Sequence, residues 1–180
     1  KAVVIQPRAG GKCALFNAQD CKYNLYLRGI ENGNVVQEHH FIEFVSRGVD
    51  PYKNFDEYMS LADNEDFRFV VSNTTEAGIA FDPECKLEDA PASSYPGKLV
   101  QLLYRRWQTF NGDPSKGLIF FPCELIFLNG HVLKDCINKY IELWKLPKEF
   151  KQWFDDNCGV YATLVDRIVT GYPGAEAATL

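Results

Sequence analysis

Short apolar strands alternating with amphipathic helices predict an α/β chain: a parallel sheet with helices on both faces and an antiparallel hairpin inserted into it. Three observations carry that expectation. The runs Ala2–Ile5, Phe67–Val71 and Leu118–Phe121 are short, apolar and bounded by turn residues, the pattern of strands buried on both faces. Tyr95–Phe110 and Gly130–Trp144 repeat apolar residues at helical spacing. Glu31-Asn32-Gly33-Asn34 sets an Asn-Gly turn between the β-rich runs Tyr23–Ile30 and Val35–Val45.

Each element follows from local chemistry. Ala2–Ile5 is closed by Pro7 and Gly10-Gly11, with no clear amphipathic helix after them. In Asn54–Ala62 the residues Phe55, Tyr58, Met59 and Ala62 form one helical face. Phe67–Val71 runs into the polar segment Ser72–Gly78, and Asp82–Ser94 is polar and proline-bearing, hence a loop. In the next helix Leu99, Leu102, Leu103 and Trp107 share a face, Pro96 suits the first turn, and Asn111-Gly112-Asp113-Pro114 stops it. Val132, Leu133, Cys136, Ile137, Tyr140 and Trp144 are in register on the following helix. Lys148–Asn157 makes a further short helix behind Pro147, and Val160–Leu164 reads as a last strand.

The 180 residues suit one domain or a little more, and 46% apolar with 24% charged residues excludes wholesale disorder. A net charge of −5 argues against a nucleic-acid partner, which needs clustered cations. No apolar run reaches the ~18–20 residues of a membrane span. The six cysteines form no C-x-x-C pair and no zinc spacing with histidine, so buried reduced thiols, a reducing cytoplasmic setting and no metal are expected. The chain opens on Lys1 directly in a strand-like run, which reads as a piece of something longer. No pattern in it specifies an oligomeric state.

In parallel sheets ligands bind at the carboxyl ends of the strands. After the first strand the G-x-G-x-x-G fingerprint is absent, and Gln6-Pro7-Arg8 lacks the acidic residue that meets a ribose in NAD sites. Arg8 either faces a phosphate or sits in solvent. Glu76, behind Asn73, Thr74 and Thr75, either orients a substrate or caps a turn. Asn129 before Gly130 reads as a helix cap. Glu124 lies just past an apolar strand and must find a partner or a cleft. Asp166-Arg167 sits in an apolar frame, either as an ion pair or with Asp166 turned to a cleft. His39, His40 and His131 show no ligand or triad spacing.

Four motifs occur in order: Ser72-Asn73-Thr74-Thr75-Glu76-Ala77-Gly78, Ser94-Tyr95-Pro96-Gly97-Lys98-Leu99, Pro122-Cys123-Glu124-Leu125-Ile126 with Asn129-Gly130, and Thr163 to Pro173 around Val165-Asp166-Arg167. Their sequence resembles the mannitol dehydrogenase family of long-chain polyol dehydrogenases, over nearly the whole chain, and most of all its uronate-reducing branch. The resemblance implies a Rossmann-like fold, NAD as cofactor, a small sugar-acid substrate and hydride transfer to a keto carbon. It places Thr75, Glu76 and Asp166 along the cofactor and substrate cleft. Together with the strand-end reading, the expected cofactor-binding residues are Gln6, Arg8, Asn73, Thr74, Thr75 and Glu124, and the expected catalytic ones Glu76 and Asp166. The resemblance also implies that the first strand with its Gly-rich turn, and a helical domain bearing the catalytic Lys, lie outside this chain. Polyol-acting members carry Cys-Asp-Asn-Leu where this chain has Cys123-Glu124-Leu125-Ile126, so an oxyanion-holding Asn is replaced by Leu125. A second reading is a Rossmann-like binding module without catalysis, which the missing Gly-rich turn favours.

Neighbours in an extended segment point to opposite faces, so Asp166 and Arg167 are poorly placed to pair with each other. In the full-length enzyme that the resemblance implies, Asp166→Asn is expected to lower kcat/KM at least about tenfold, roughly 1.4 kcal/mol of transition-state stabilisation, with folding intact. Steady-state kinetics and a melting curve check this: unchanged kinetics with a lowered midpoint makes Asp166 structural.

Overall fold

The computed structural model describes residues 1–165 and, past them, residues 169, 171 and 174. Asp166 and Arg167 lie outside the described residues. Strand β1 (Ala2–Ile5) pairs in parallel with β4 (Val45–Val49). Between them come helix α1 (Cys13–Ala18) and the antiparallel hairpin of β2 (Tyr23–Glu31) and β3 (Asn34–Ile42). Asn32 and Gly33 turn that hairpin with φ of 51° and 80°, the left-handed conformations that an Asn-Gly turn supplies.

Helix α2 (Phe55–Ser60) leads to β5 (Phe69–Ser72), and α3 (Tyr95–Thr109) to β6 (Ile119–Pro122). Helices α4 (Asn129–Leu143) and α5 (Lys148–Asn157) then precede β7 (Gly159–Val160). Strands β5, β6 and β7 form a second parallel sheet in that order, with Phe69 opposite Ile119 and Ser72 opposite Pro122. The expected α/β architecture with parallel pairing and a hairpin insertion is therefore present.

Three details differ from the expectation, each for a tertiary reason. Helix α1 has a weak apolar face and is held by the Asn17 carboxamide, which donates to Gly48 O at 2.9 Å and accepts from Gly48 N at 2.7 Å. The run expected as one return strand ends at Ile42, and β4 is a separate strand because it pairs with β1 rather than with the hairpin. The last strand is Gly159–Val160 rather than Val160–Leu164, since pairing to β6 stops at Phe120.

Alternation along the strands decides what is covered. On β4, Gly48 faces α1, where a Cβ would meet Cys13 Sγ at 2.7 Å, while Val49 enters the core. The core therefore covers one face of the β1–β4 pair, and α1 meets the other at Gly48 while leaving Val4 of β1 exposed. On the second sheet Phe120 and Val70 join a core of Leu99, Leu103, Leu133, Ile137, Phe150 and Phe154. Its other face carries a ladder of Phe69, Phe121 and Tyr161, with ring centroids 6.3 and 5.8 Å apart, and Phe69 and Tyr161 are exposed.

The segment expected as a loop before α3 is tied to the helices. Tyr140 Oη accepts from Asp82 N at 2.8 Å, Trp144 Nε1 donates to Cys85 O at 2.9 Å, and Gln101 Nε2 donates to Leu87 O and Asp89 O at 2.9 and 2.7 Å. All six cysteines are free thiols. Burial pushes the Cys158 thiol up to about 11, so it is protonated and unreactive at neutral pH.

Arg106 of α3 is almost fully buried and donates to four main-chain carbonyls: Ala62 at 2.9 Å, Asn64 at 2.8 Å, Phe67 at 2.9 Å and Lys116 at 2.7 Å. Arg106→Met keeps much of the stem and removes one donor from each of those carbonyls, of which, among the described residues, Asn64 O alone keeps a main-chain bond, from Phe67 N. The variant is expected to lose at least about 3 kcal/mol of unfolding free energy, given about 1.5–3 kcal/mol per bond to a charged group. Urea unfolding measures this, and a loss below about 1 kcal/mol would mean that water replaces the guanidinium freely.

Candidate functional site

The carboxyl ends of β5, β6 and β7 meet around two buried polar side chains. The first is Glu124, two residues past β6 and only 2% exposed. Its Oε2 accepts from Ser72 Oγ at 3.0 Å, and its Oε1 accepts from Thr74 N at 3.1 Å and Thr74 Oγ1 at 2.9 Å. A buried carboxylate without a cation costs several kcal/mol unless its lone pairs are filled. Here three donors fill them, and among the described residues no cation pairs with Glu124.

The second is Asn129, the first residue of α4 and 1% exposed. Sequence spacing suggests a helix cap, but the capping position belongs to Leu128, which takes a left-handed conformation at φ 52°. Asn129 Nδ2 instead donates to Pro122 O, Glu124 O and Thr163 O at 2.9, 3.0 and 3.1 Å. Its Oδ1 accepts from Gly130 N at 2.8 Å and Thr163 N at 3.0 Å.

Around these clamps Asn73, Thr75 and Glu76 are exposed and Thr74 is half-buried. The turn they form is tight: Gly78 N donates to Thr75 O at 2.9 Å, and a Cβ on Gly78 would lie 1.8 Å from Thr74 Oγ1. Beside them stands an apolar rim of Leu125, Phe127 and Leu128, with Phe127 89% exposed. Tyr95, at the start of α3, turns a buried hydroxyl toward Ser72 without a well-formed hydrogen bond. Burial first, and then the charge of Glu124, pushes its pKa up against the opposing Ser72 contact, so it is a neutral phenol at neutral pH.

The structure thus gathers Asn73, Thr74, Thr75, Glu76 and Glu124 at one set of strand ends. It gives Glu124 an inward role, because both its oxygens are engaged. Gln6 and Arg8 stand apart at the end of β1. The Gln6 carboxamide is spent on its own loop, donating to Arg8 O at 2.9 Å and accepting from Cys13 N at 3.1 Å. Arg8 is exposed, and among the described residues its guanidinium has no partner. No hydrogen bond among the described residues joins the β1 end to the Glu124 cluster.

Sequence reasoning missed the roles of Ser72, Asn129 and Thr163. The only signal for Asn129 was a polar residue closing an apolar run, which a cap also produces. Among the described residues no group of His, Cys, Asp and Glu could hold a metal ion, and no helix is long and apolar enough to cross a membrane.

Residues 8–179 match the Mannitol dehydrogenase Rossmann domain family. The chain belongs to the mannitol dehydrogenase family. Its curated relatives include the altronate oxidoreductases of Phocaeicola vulgatus, 61% identical over 99% of this chain, and of Bacillus subtilis, 45% identical over 94% of it. The chain spans 37% and 35% of those relatives' lengths. Among solved structures, substrate-free D-sorbitol dehydrogenase superimposes with a TM-score of 0.75 at 22% identity, over 98% of this chain and 38% of that one. Pseudomonas fluorescens mannitol 2-dehydrogenase, in a ternary complex with NAD and D-mannitol, gives 0.69 at 16% identity, over 87% and 33%. Both likenesses show the shared Rossmann fold of this family domain.

Glu124→Ala in this mannitol dehydrogenase-family domain removes the acceptor of buried Ser72 and half-buried Thr74. An expected loss of about 2–4 kcal/mol follows from leaving buried donors unsatisfied. Glu124→Gln keeps one acceptor oxygen and loses less. Urea unfolding of the three proteins checks the order, and equal losses for Ala and Gln would show that charge rather than hydrogen bonding holds the loop.

Proposed function

We infer that the full-length protein is an NAD-dependent oxidoreductase interconverting a keto-uronate, tagaturonate, and its sugar acid, altronate, by hydride transfer. This chain is its cofactor-domain portion. The observation that carries the reading is 61% identity over nearly the whole chain to proteins named altronate oxidoreductase. The replacement of the polyol-type Asn by Leu125 supports a sugar-acid substrate over a polyol.

The exposed groups suit a dinucleotide in part. Arg8, free at the end of β1, would meet its anionic portion, and Asn73 and Thr75 would line it at the end of β5. Gln6 shapes the β1 loop rather than contacting the cofactor, and Glu124 holds Thr74 in place from below. Bound NAD would supply the two-electron hydride chemistry. Of the chain's own groups, Glu76 presents an exposed carboxylate at the rim to orient a polar substrate, and Phe127 and Leu125 would offer it an apolar contact. Asp166 would complete that wall from the segment after β7.

The boundaries of the portion rest on open surfaces. Among the described residues β1 pairs only with β4, and β5 only with β6, with Val4 and Val71 exposed. A further parallel strand carrying the Gly-rich turn would close those edges, and a helical domain with the acid–base Lys would complete the site. Six free thiols support a cytoplasmic enzyme, and a net charge of −5 argues against a nucleic-acid partner.

The test is NADH oxidation with tagaturonate and fructuronate, by the full-length protein and by the 180-residue chain. The full-length protein is expected to turn over tagaturonate, and the chain alone to stay at background. Turnover by the chain alone would overturn the assignment of the outlying parts. Absence of turnover by the full-length protein would overturn the substrate.

A further inference from the structure

We propose that Asn129 is a positioning residue of the reaction, holding the loops after β5, β6 and β7 in one fixed arrangement. The proposal rests on the oxidoreductase reading above.

The two-point pairing of Asn129 with the Thr163 peptide joins a side chain at the start of α4 to a main chain 34 residues later. The same amide donates to Pro122 O and Glu124 O, the loop after β6. Glu124 in turn carries Thr74, in the loop after β5, on its carboxylate. One buried amide and one buried carboxylate therefore connect all three strand ends.

Two independent features tighten the same junction. Thr163 Oγ1 donates to Pro122 O at 2.6 Å, sharing the carbonyl that Asn129 uses. A Cβ on Gly130 would lie 2.6 Å from Ala162 N and 2.7 Å from Tyr161 C, so α4 and the exit of β7 touch through bare backbone. A helix cap directs its oxygen to N–H groups two or three residues ahead. Asn129 does not do this, and only one of its bonds, from Gly130 N, serves α4 at all. The rest join loops. Thr75 and Glu76 follow directly on the residue that Glu124 holds, so their placement in the cleft inherits the tolerance of this linkage. A misplacement of about 1 Å costs on the order of a hundredfold in rate.

The experiment uses the full-length protein with Asn129→Ala, Thr163→Val and Thr163→Ser. It records kcat and KM for tagaturonate and NADH well below the thermal midpoint, the midpoint itself, and amide hydrogen exchange over Thr74 and Thr163. For Asn129→Ala, kcat is expected to fall at least about tenfold while KM for NADH stays within about threefold. Thr163→Val is expected to fall less in the same direction, and Thr163→Ser to retain activity. Exchange should quicken at Thr163 and Thr74 while β6 stays protected. If Asn129→Ala does not fold, Thr163→Val against Thr163→Ser decides by the same readouts. Unchanged kinetics with a lowered midpoint, or exchange that rises evenly across β5 and β6, makes Asn129 a stability residue and overturns the proposal. If the wild-type protein turns over no keto-uronate, the substrate reading fails separately. Unchanged exchange at Thr163 and Thr74 in Asn129→Ala then overturns the linkage.

Discussion

The structure depends on a guanidinium without a carboxylate. Arg106 reaches Ala62, Asn64 and Phe67, which precede β5, and Lys116, which precedes β6, so one side chain on α3 sets where both strands begin. The desolvation of a buried cation is offset because its donors are spent on four main-chain carbonyls, and Phe67 and Phe110 lie 5.7 and 4.9 Å from the charge. A lysine would bring a single point charge and could not span carbonyls from separate segments. The planar fork of arginine can.

With the amino ends set by charge, the carboxyl ends are set by hydrogen bonds. Parallel strands deliver their exits to one edge, and loops there diverge unless something joins them. Glu124 and Asn129 do the joining, each almost completely withdrawn from water, where a hydrogen bond is stronger and a missing one costlier. The groups left facing solvent are different in kind. Asn73, Thr75 and Glu76 offer polar contacts, while Leu125, Phe127 and Leu128 offer an apolar wall. A rigid buried layer beneath an exposed mixed layer is the arrangement that keeps a binding surface in shape without occupying it.

The uncovered side of the second sheet has the same logic in reverse. Parallel sheets are stable when both faces are buried, yet Phe69, Val71 and Tyr161 remain exposed beside Phe121. The relatives are more than twice the length of this chain.

Helix periodicity at Tyr95–Thr109, Asn129–Leu143 and Lys148–Asn157, the apolar strand runs and the Asn32-Gly33 turn were all legible in the sequence, because each depends on residues close together in the chain. So was the location of the candidate site, since Ser72–Gly78 and Cys123–Gly130 follow strands. Other features were decided only in three dimensions. β4 chose β1 over the hairpin, and α1 is held by Asn17 on Gly48. Glu124 turned inward to Thr74, Gln6 closed its own loop, and Asn129 bonded Thr163 in place of a helix end. Apart from the short-range closure by Gln6, each of these is a hydrogen bond between segments distant in sequence. Composition and spacing announce that a polar group needs a partner, but only the packed chain determines which one it meets.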